Sequence, residues 1–215
     1  MSILNVDEMC LFIHVPRTAG SSMEIAPFIK RHGHIPFIYY ELVINNGTIG
    51  LHLDDIFSFA FIRNPIDRFI SSFLFAKQSG YMRKEDKIED VIEVIGHTPT
   101  IEFESSLHEV QTGDSDKQNV VRFSPPGFIF KGVLFDLFMP QFYYLFNNKL
   151  DVGVKFVGRF ENLQEDWKHV CDNVGVQFDL PITKKTDGSI SQSDLSRSSI
   201  SRLERFYKKD FELFE

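Results

Sequence analysis

Cysteine and tryptophan are nearly absent from this 215-residue chain, which has two of the first and one of the second. Cys10 and Cys171 are too few and too far apart for a disulfide framework, so a small cross-linked secreted scaffold is excluded and a reducing compartment fits. No apolar run reaches membrane-spanning length, and the N-terminal MSILNVDEMC is acidic rather than signal-like. Basic charge is also short: 23 Lys and Arg against 30 Asp and Glu leave a net charge of −7. Bulk electrostatic attraction to nucleic acid is therefore not expected. There is no internal repeat and no low-complexity tract. Asn46-Gly47-Thr48 has the form of a glycosylation sequon, but without a secretory signal it reads as a turn. These absences lead to the expectation of a soluble, cytoplasmic protein.

What the chain has in quantity is phenylalanine, 23 residues of it. The length suits one domain, 1–215, with a sizeable core. Strands are expected at Leu11–Val15, Pro36–Tyr40 (weak), Phe57–Ile62, Phe128–Phe135 (ambiguous with helix) and Val154–Phe160. Several are nearly continuous apolar runs, as in strands covered on both faces. A helix should begin at Asn64-Pro65, carry the stripe Ile66, Phe69, Ile70, Phe73 and Leu74, and stop at Gly80. A second should begin at Asn162, with Glu165 completing a capping box, and end at Gly175. A third runs from about Ser198 through Ile200, Leu203 and Phe206. Strand–turn–helix units in series indicate an α/β protein with a mostly parallel sheet. Residues 79–127, charged and broken by Gly and Pro, read as a variable insertion over the site.

The first strand runs into Pro16-Arg17-Thr18-Ala19-Gly20-Ser21-Ser22. In α/β sheets ligands bind at the carboxyl ends of strands, where unpaired N–H groups point outward. Arg17 offers a permanent charge, Thr18, Ser21 and Ser22 offer hydroxyls, and Gly20 allows close backbone approach, so the segment suits an anion. It lacks the first glycine and the lysine of the Walker pattern, which disfavours an ATP-dependent kinase. An ordinary βα turn whose serines cap the helix is the plain alternative.

A second segment, FSFAFIRNPIDRFISSF (57–73), repeats the arrangement with Arg63 at a strand end. Helical geometry places Asn64, Arg68 and Ser71 opposite the apolar stripe, so Arg63 and Ser71 are candidates to grip a second phosphate. Alternatively, Arg63 and Arg68 pair with Asp67 or other acids on a solvated face.

Together, HVPRTAGSS resembles the 5′-phosphosulfate loop, and FIRNPIDRFISS the 3′-phosphate motif, of sulfotransferases that use 3′-phosphoadenosine 5′-phosphosulfate (PAPS). The resemblance is to carbohydrate sulfotransferases of the uronyl 2-O-sulfotransferase type and their bacterial homologues. VKFVGRFENLQEDWKHVCDNVGV (154–176) is similar to the strand and helix that close the domain there. The resemblance implies a three-layer, P-loop-like α/β domain with a mostly parallel central sheet flanked by helices. It implies PAPS as co-substrate and 3′-phosphoadenosine 5′-phosphate (PAP) as product, with a hydroxyl acceptor, most simply a saccharide. Residue by residue, Arg17, Thr18, Ala19, Gly20, Ser21 and Ser22 would hold the phosphosulfate, and Arg63 and Ser71 the 3′-phosphate. The family usually has lysine where this chain has Arg17, and an arginine keeps its charge but gives up no proton.

Sulfuryl transfer also needs a base for the acceptor hydroxyl. His34 in RHGHIPF is the first candidate and His32 the second, because that His-Gly-His resembles the base-bearing segment of the uronyl enzymes. His52 is the third. His97, His108 and His169 have no supporting context. No Cys or further His stands at ligand spacing, so no metal is expected. Asp114-Ser-Asp116 reads as a polar loop, Gln141 as either an acceptor contact or core, and Lys184 and Lys185 as a solvated loop. Two other functions compete with sulfotransfer: a nucleotide kinase with an aberrant loop, and a degenerate member that binds nucleotide or glycan without turnover.

Overall fold

The first strand forms at Cys10–Ile13 (β1), all four residues buried, and is followed by the short helix Gly20–Met23 (α1). The computed structural model describes residues 9–30, 33–45, 47, 50–96, 120–122, 129–131, 133–181 and 190–215. In chain order the further elements are Phe37–Asn45 (α2), Phe57–Ile62 (β2), Pro65–Gln78 (α3), Ile88–Gly96 (α4), Val120–Arg122 (β3), Ile129–Lys131 (β4) and Val133–Phe138 (α5). Phe142–Leu145 (α6), Phe156–Arg159 (β5), Leu163–Val174 (α7), Arg197–Phe206 (α8) and Lys208–Phe214 (α9) complete them. The chain divides into two compact units, each assembled from two stretches: Met1–Asn64 with Gln141–Lys185, and Pro65–Pro140 with Thr186–Glu215.

The first unit is built on a parallel sheet of order β1-β2-β5. The register pairs Ile13 with Ala60 and Ile62 with Arg159, so the strands' carboxyl ends share one edge. One face presents Cys10, Phe12, Phe59 and Phe61 to Met23, Phe28, Trp167, Val170 and Cys171. Each buried phenylalanine here contributes roughly 1.5–3 kcal/mol. The lone tryptophan keeps its N–H satisfied by donating to the Phe178 carbonyl at 2.7 Å. Leu11, Ile13, Ala60 and Ile62, on the other face, are buried too, which accounts for the continuous apolar runs. The α/β class with a parallel sheet flanked by helices is thus as expected.

Three local expectations change. Pro36–Tyr40 is not a strand: Phe37–Asn45 is helical, burying Phe37, Tyr40, Glu41 and Ile44 at helical spacing. The aromatic run favours a strand only if the window stops before Glu41 and Ile44. Phe128–Phe135 resolves into a short strand followed by a helix. Helix α7 starts and ends where expected, with Gly175 in the left-handed conformation (φ 77°). Asn162, however, makes no side-chain capping bond; instead Asp166 accepts from the Arg159 N–H at 2.6 Å.

In the second unit, α3 packs on α5 and α8, α4 packs on α8, and β3 and β4 pair antiparallel. Helix α4 lies inside the stretch 79–127 that was expected to be a variable insertion. Its Ile88, Val91, Ile92 and Ile95 are buried at helical spacing. Residues 97–119 and 123–128 lie outside the described residues. Arg68 corrects the expectation of a solvated face: it is fully buried and donates to the Met139 carbonyl at 3.0 Å. Asp67 accepts from Gln192 Nε2 at 2.9 Å. Ser72, buried one turn on, donates to the Leu137 carbonyl at 2.8 Å.

Candidate functional site

Strand β1 cannot continue past Val15, because Pro16 removes a donor and fixes φ. The chain then enters a turn in which Arg17 and Ala19 both take left-handed backbone angles, φ 69° and 70°. For residues with a β-carbon this costs about 1–2 kcal/mol each, a strain that persists where the surroundings impose it and that is concentrated at ligand-binding turns. Thr18 sits between them, fully buried, and its hydroxyl donates back to the Val15 carbonyl at 2.8 Å. Its side chain therefore braces the loop, and only its backbone N–H is left to offer an anion. The Ala19 carbonyl accepts from the Ser22 N–H at 2.9 Å and starts α1. Arg17 is half-buried, Ser21 exposed and Ser22 buried.

Gly20 has a specific packing duty. The ring of His14 lies against its α-carbon, with Nε2 only 2.0 Å from where a β-carbon would be. The same ring donates from Nδ1 to Glu24 Oε1 at 2.8 Å and stacks on Phe12 at 5.5 Å between centroids. Its fourth neighbour is His34, 4.4 Å away edge to face. His34 Nδ1 lies 2.9 Å from the His14 backbone oxygen. A carbonyl oxygen only accepts, so Nδ1 carries the proton and Nε2 is the basic nitrogen of His34 in its neutral form.

Strand β2 delivers Arg63 to the same edge of the sheet. Gln141, fully buried, brackets that strand end: its Oε1 accepts from the Arg63 N–H at 2.9 Å and its Nε2 donates to the Arg63 carbonyl at 2.8 Å. That corrects the acceptor-contact reading of Gln141, since both ends of its amide serve the backbone. Glu161 accepts from the Asn64 N–H at 2.8 Å. The Arg63 guanidinium carbon lies 4.3 Å from the centre of the Phe160 ring, a cation–π contact that restrains it. Arg159 closes β5 beside Ile62. Arginines thus stand at or just beyond the carboxyl ends of all three strands, Arg17, Arg63 and Arg159.

The fold brings His34 to the anion loop. His52 is exposed in the segment leading into β2, at the amino end of the sheet. His32 lies outside the described residues, as do Lys184, Lys185, His97, His108, Asp114 and Asp116. Ser71 is buried in α3 of the second unit. His14, Glu24 and Arg159 were not singled out from sequence. The legible signal was a histidine directly before the loop with an acid ten residues on. A groove of about 390 Å³ in the second unit, floored by Phe73 and Ile88, contains none of these residues. Among the described residues no helix is long and apolar enough to cross a membrane.

The loop carries Arg17, Ser21, Ser22 and two residues with left-handed backbone angles, and a second arginine, Arg63, follows the neighbouring strand. The architecture is α/β, a three-stranded parallel sheet flanked by helices, consistent with a sulfotransferase P-loop-like fold. Residues 36–121, which include β2, Arg63 and α3, match the model of the sulfotransferase family. The match supports a sulfotransferase family and sulfuryl transfer in general; the loop at residues 17–22 precedes the matched stretch. No curated protein and no solved structure matches the chain.

Proposed function

We propose that the protein is a PAPS-dependent sulfotransferase acting on a hydroxyl, most simply of a saccharide. The observation that carries this reading is the pairing of a strained Arg17-containing loop after β1 with Arg63 after β2, in a chain whose residues 36–121 match the sulfotransferase family. In this reading Arg17, Gly20, Ser21 and Ser22 hold the 5′-phosphosulfate, with Thr18 and Ala19 contributing backbone. Arg63 neutralises the 3′-phosphate, and Ser71 is assigned to it by the motif alone. PAPS supplies the activated sulfuryl group. The protein's part is to align the acceptor oxygen in line, to hold cations against the charge on the transferring group, and to remove one proton. His34 takes that proton on Nε2. The saccharide preference rests on the resemblance of the loop, the 3′-phosphate motif and the His-Gly-His segment to uronyl 2-O-sulfotransferases.

Calorimetry with PAP and AMP tests the donor. If Arg63 holds the 3′-phosphate, PAP should bind about ten- to a hundredfold more tightly than AMP, and Arg63→Ala should erase most of that preference. Equal affinities in the parent protein would overturn the assignment. Transfer of label from PAPS to a panel of saccharide and non-saccharide hydroxyl compounds tests the acceptor; label appearing only on the latter would remove the saccharide.

A further inference from the structure

Binding an anion does not require the Glu24–His14 pair, yet the pair is packed into the anion loop. The His14 carboxylate contact is 2.8 Å and its side chain is only 12 % exposed. Its Nε2 edge faces Gly20, in the middle of the segment assigned to the phosphosulfate. Arg17 keeps its charge throughout and cannot release a proton to a leaving oxygen. Imidazole can, because it both holds and yields a proton near neutrality.

We infer that His14 is the general acid of the reaction, giving its Nε2 proton to the oxygen that leaves sulfur, with Glu24 as the residue that positions it. The inference rests on the sulfotransferase reading above. The step balances as follows. The acceptor hydroxyl loses its proton to His34 Nε2 while its oxygen forms a bond to sulfur. The bond between sulfur and the bridging phosphate oxygen breaks, its electron pair stays on that oxygen, and the oxygen takes the proton from His14. One proton enters the histidine pair and one leaves it. That exchange suits two rings 4.4 Å apart, since two positive charges so close repel and a single carboxylate offsets only one. Among the described residues the titratable groups against His14 are Glu24 and His34; Phe12 and Gly20, which also meet it, carry no charge. His34 returns its proton to water, and His14 recovers one, before the next turnover.

The test uses the full chain labelled with ¹⁵N at histidine, PAP as the binding probe and labelled PAPS for turnover. The His14 Nε2 resonance should move on adding PAP. In His14→Gln, PAP affinity should stay within about threefold and kcat should fall about a hundredfold. The basic limb of the pH–rate profile should disappear while the acidic limb, set by His34, remains. Glu24→Gln, which retains the shape of the contact, should lower kcat about tenfold and move the basic limb to lower pH. Unchanged kcat and an unchanged basic limb in His14→Gln would overturn the inference and leave the sulfotransferase reading standing. So would a parallel loss of PAP affinity and kcat with the basic limb retained, which would make His14 a brace of the loop. A parent protein that binds PAP no better than AMP overturns both.

Discussion

His14 fills the space that a side chain at residue 20 would need: a β-carbon there would lie 2.2 Å from Cδ2 and 2.7 Å from Cε1 of the imidazole. Gly20 is therefore required by packing rather than by backbone angle. Gly20→Ala should destabilise the protein by about 1–3 kcal/mol, the usual effect of overpacking. The double variant Gly20→Ala/His14→Ala should recover part of that loss, because the collision is with this one ring. Urea unfolding of the four proteins measures the coupling; strictly additive effects would show that the ring moves aside at no cost.

Arg17 combines a strained backbone with the loop's permanent charge. Arg17→Ala should reduce kcat by about 10²–10³, the range seen when a group stabilising developing charge is removed. Arg17→Lys should keep substantial activity, since one cation is restored. Label transfer from PAPS measures both, and an Arg17→Ala variant as fast as the parent would reduce the loop to a structural turn.

His34 Nδ1 donates to the His14 carbonyl, and Nε2 is the nitrogen assigned as the base in the proposed function. His34→Ala should lower kcat by about 10²–10⁴ with little change in PAP affinity. The acidic limb of the pH–rate profile should follow a group titrating near neutrality in the parent and vanish in the variant. His32→Ala and His52→Ala should be milder. An inactive His52→Ala would move the base to the amino end of the sheet and contradict the geometry.

Burial pushes the Asp136 carboxyl in α5 up to about 6. The folded protein then keeps this proton over a range in which the unfolded chain has released it. Stability from this group is full below about pH 4 and is lost as pH rises through about 6. The folded state therefore carries a penalty at neutral pH of about 1–2 kcal/mol, smaller than for a fully buried group because Asp136 retains partial solvent contact. Asp136→Asn should be more stable than the parent at pH 7 and should lose that advantage at pH 4. Denaturant unfolding at both values checks it; a difference independent of pH would assign the effect to packing.

The chain's local chemistry determined more of this protein than its weak overall composition suggests. Strand β2 begins and ends where its apolar run does, α3 starts at its N1 proline, and Gly175 ends α7. Each of these depends on neighbours within a few residues, through periodicity, a fixed φ or a tolerated left-handed angle. The candidate anion loop could be proposed from sequence for the same reason, since its residues are consecutive.

Tertiary structure decided the rest, and sequence separation is the reason. Gln141 reaches the end of β2 from 78 residues away, and Arg68 meets the Met139 carbonyl across 71. No local pattern marks Arg68 as buried, and the apolar residues around Gln141 left it open between acceptor contact and core, because the cost of burying a polar residue is met by partners that only folding supplies. His34 joins the loop by a contact spanning 20 residues and Glu24 by one spanning 10. The sequence by itself marked the segment after β1 as a candidate anion loop. Only the tertiary structure decided that His14 packs against Gly20, Glu24 and His34, because proximity between side chains on different elements is set by how the elements pack and not by their order in the chain.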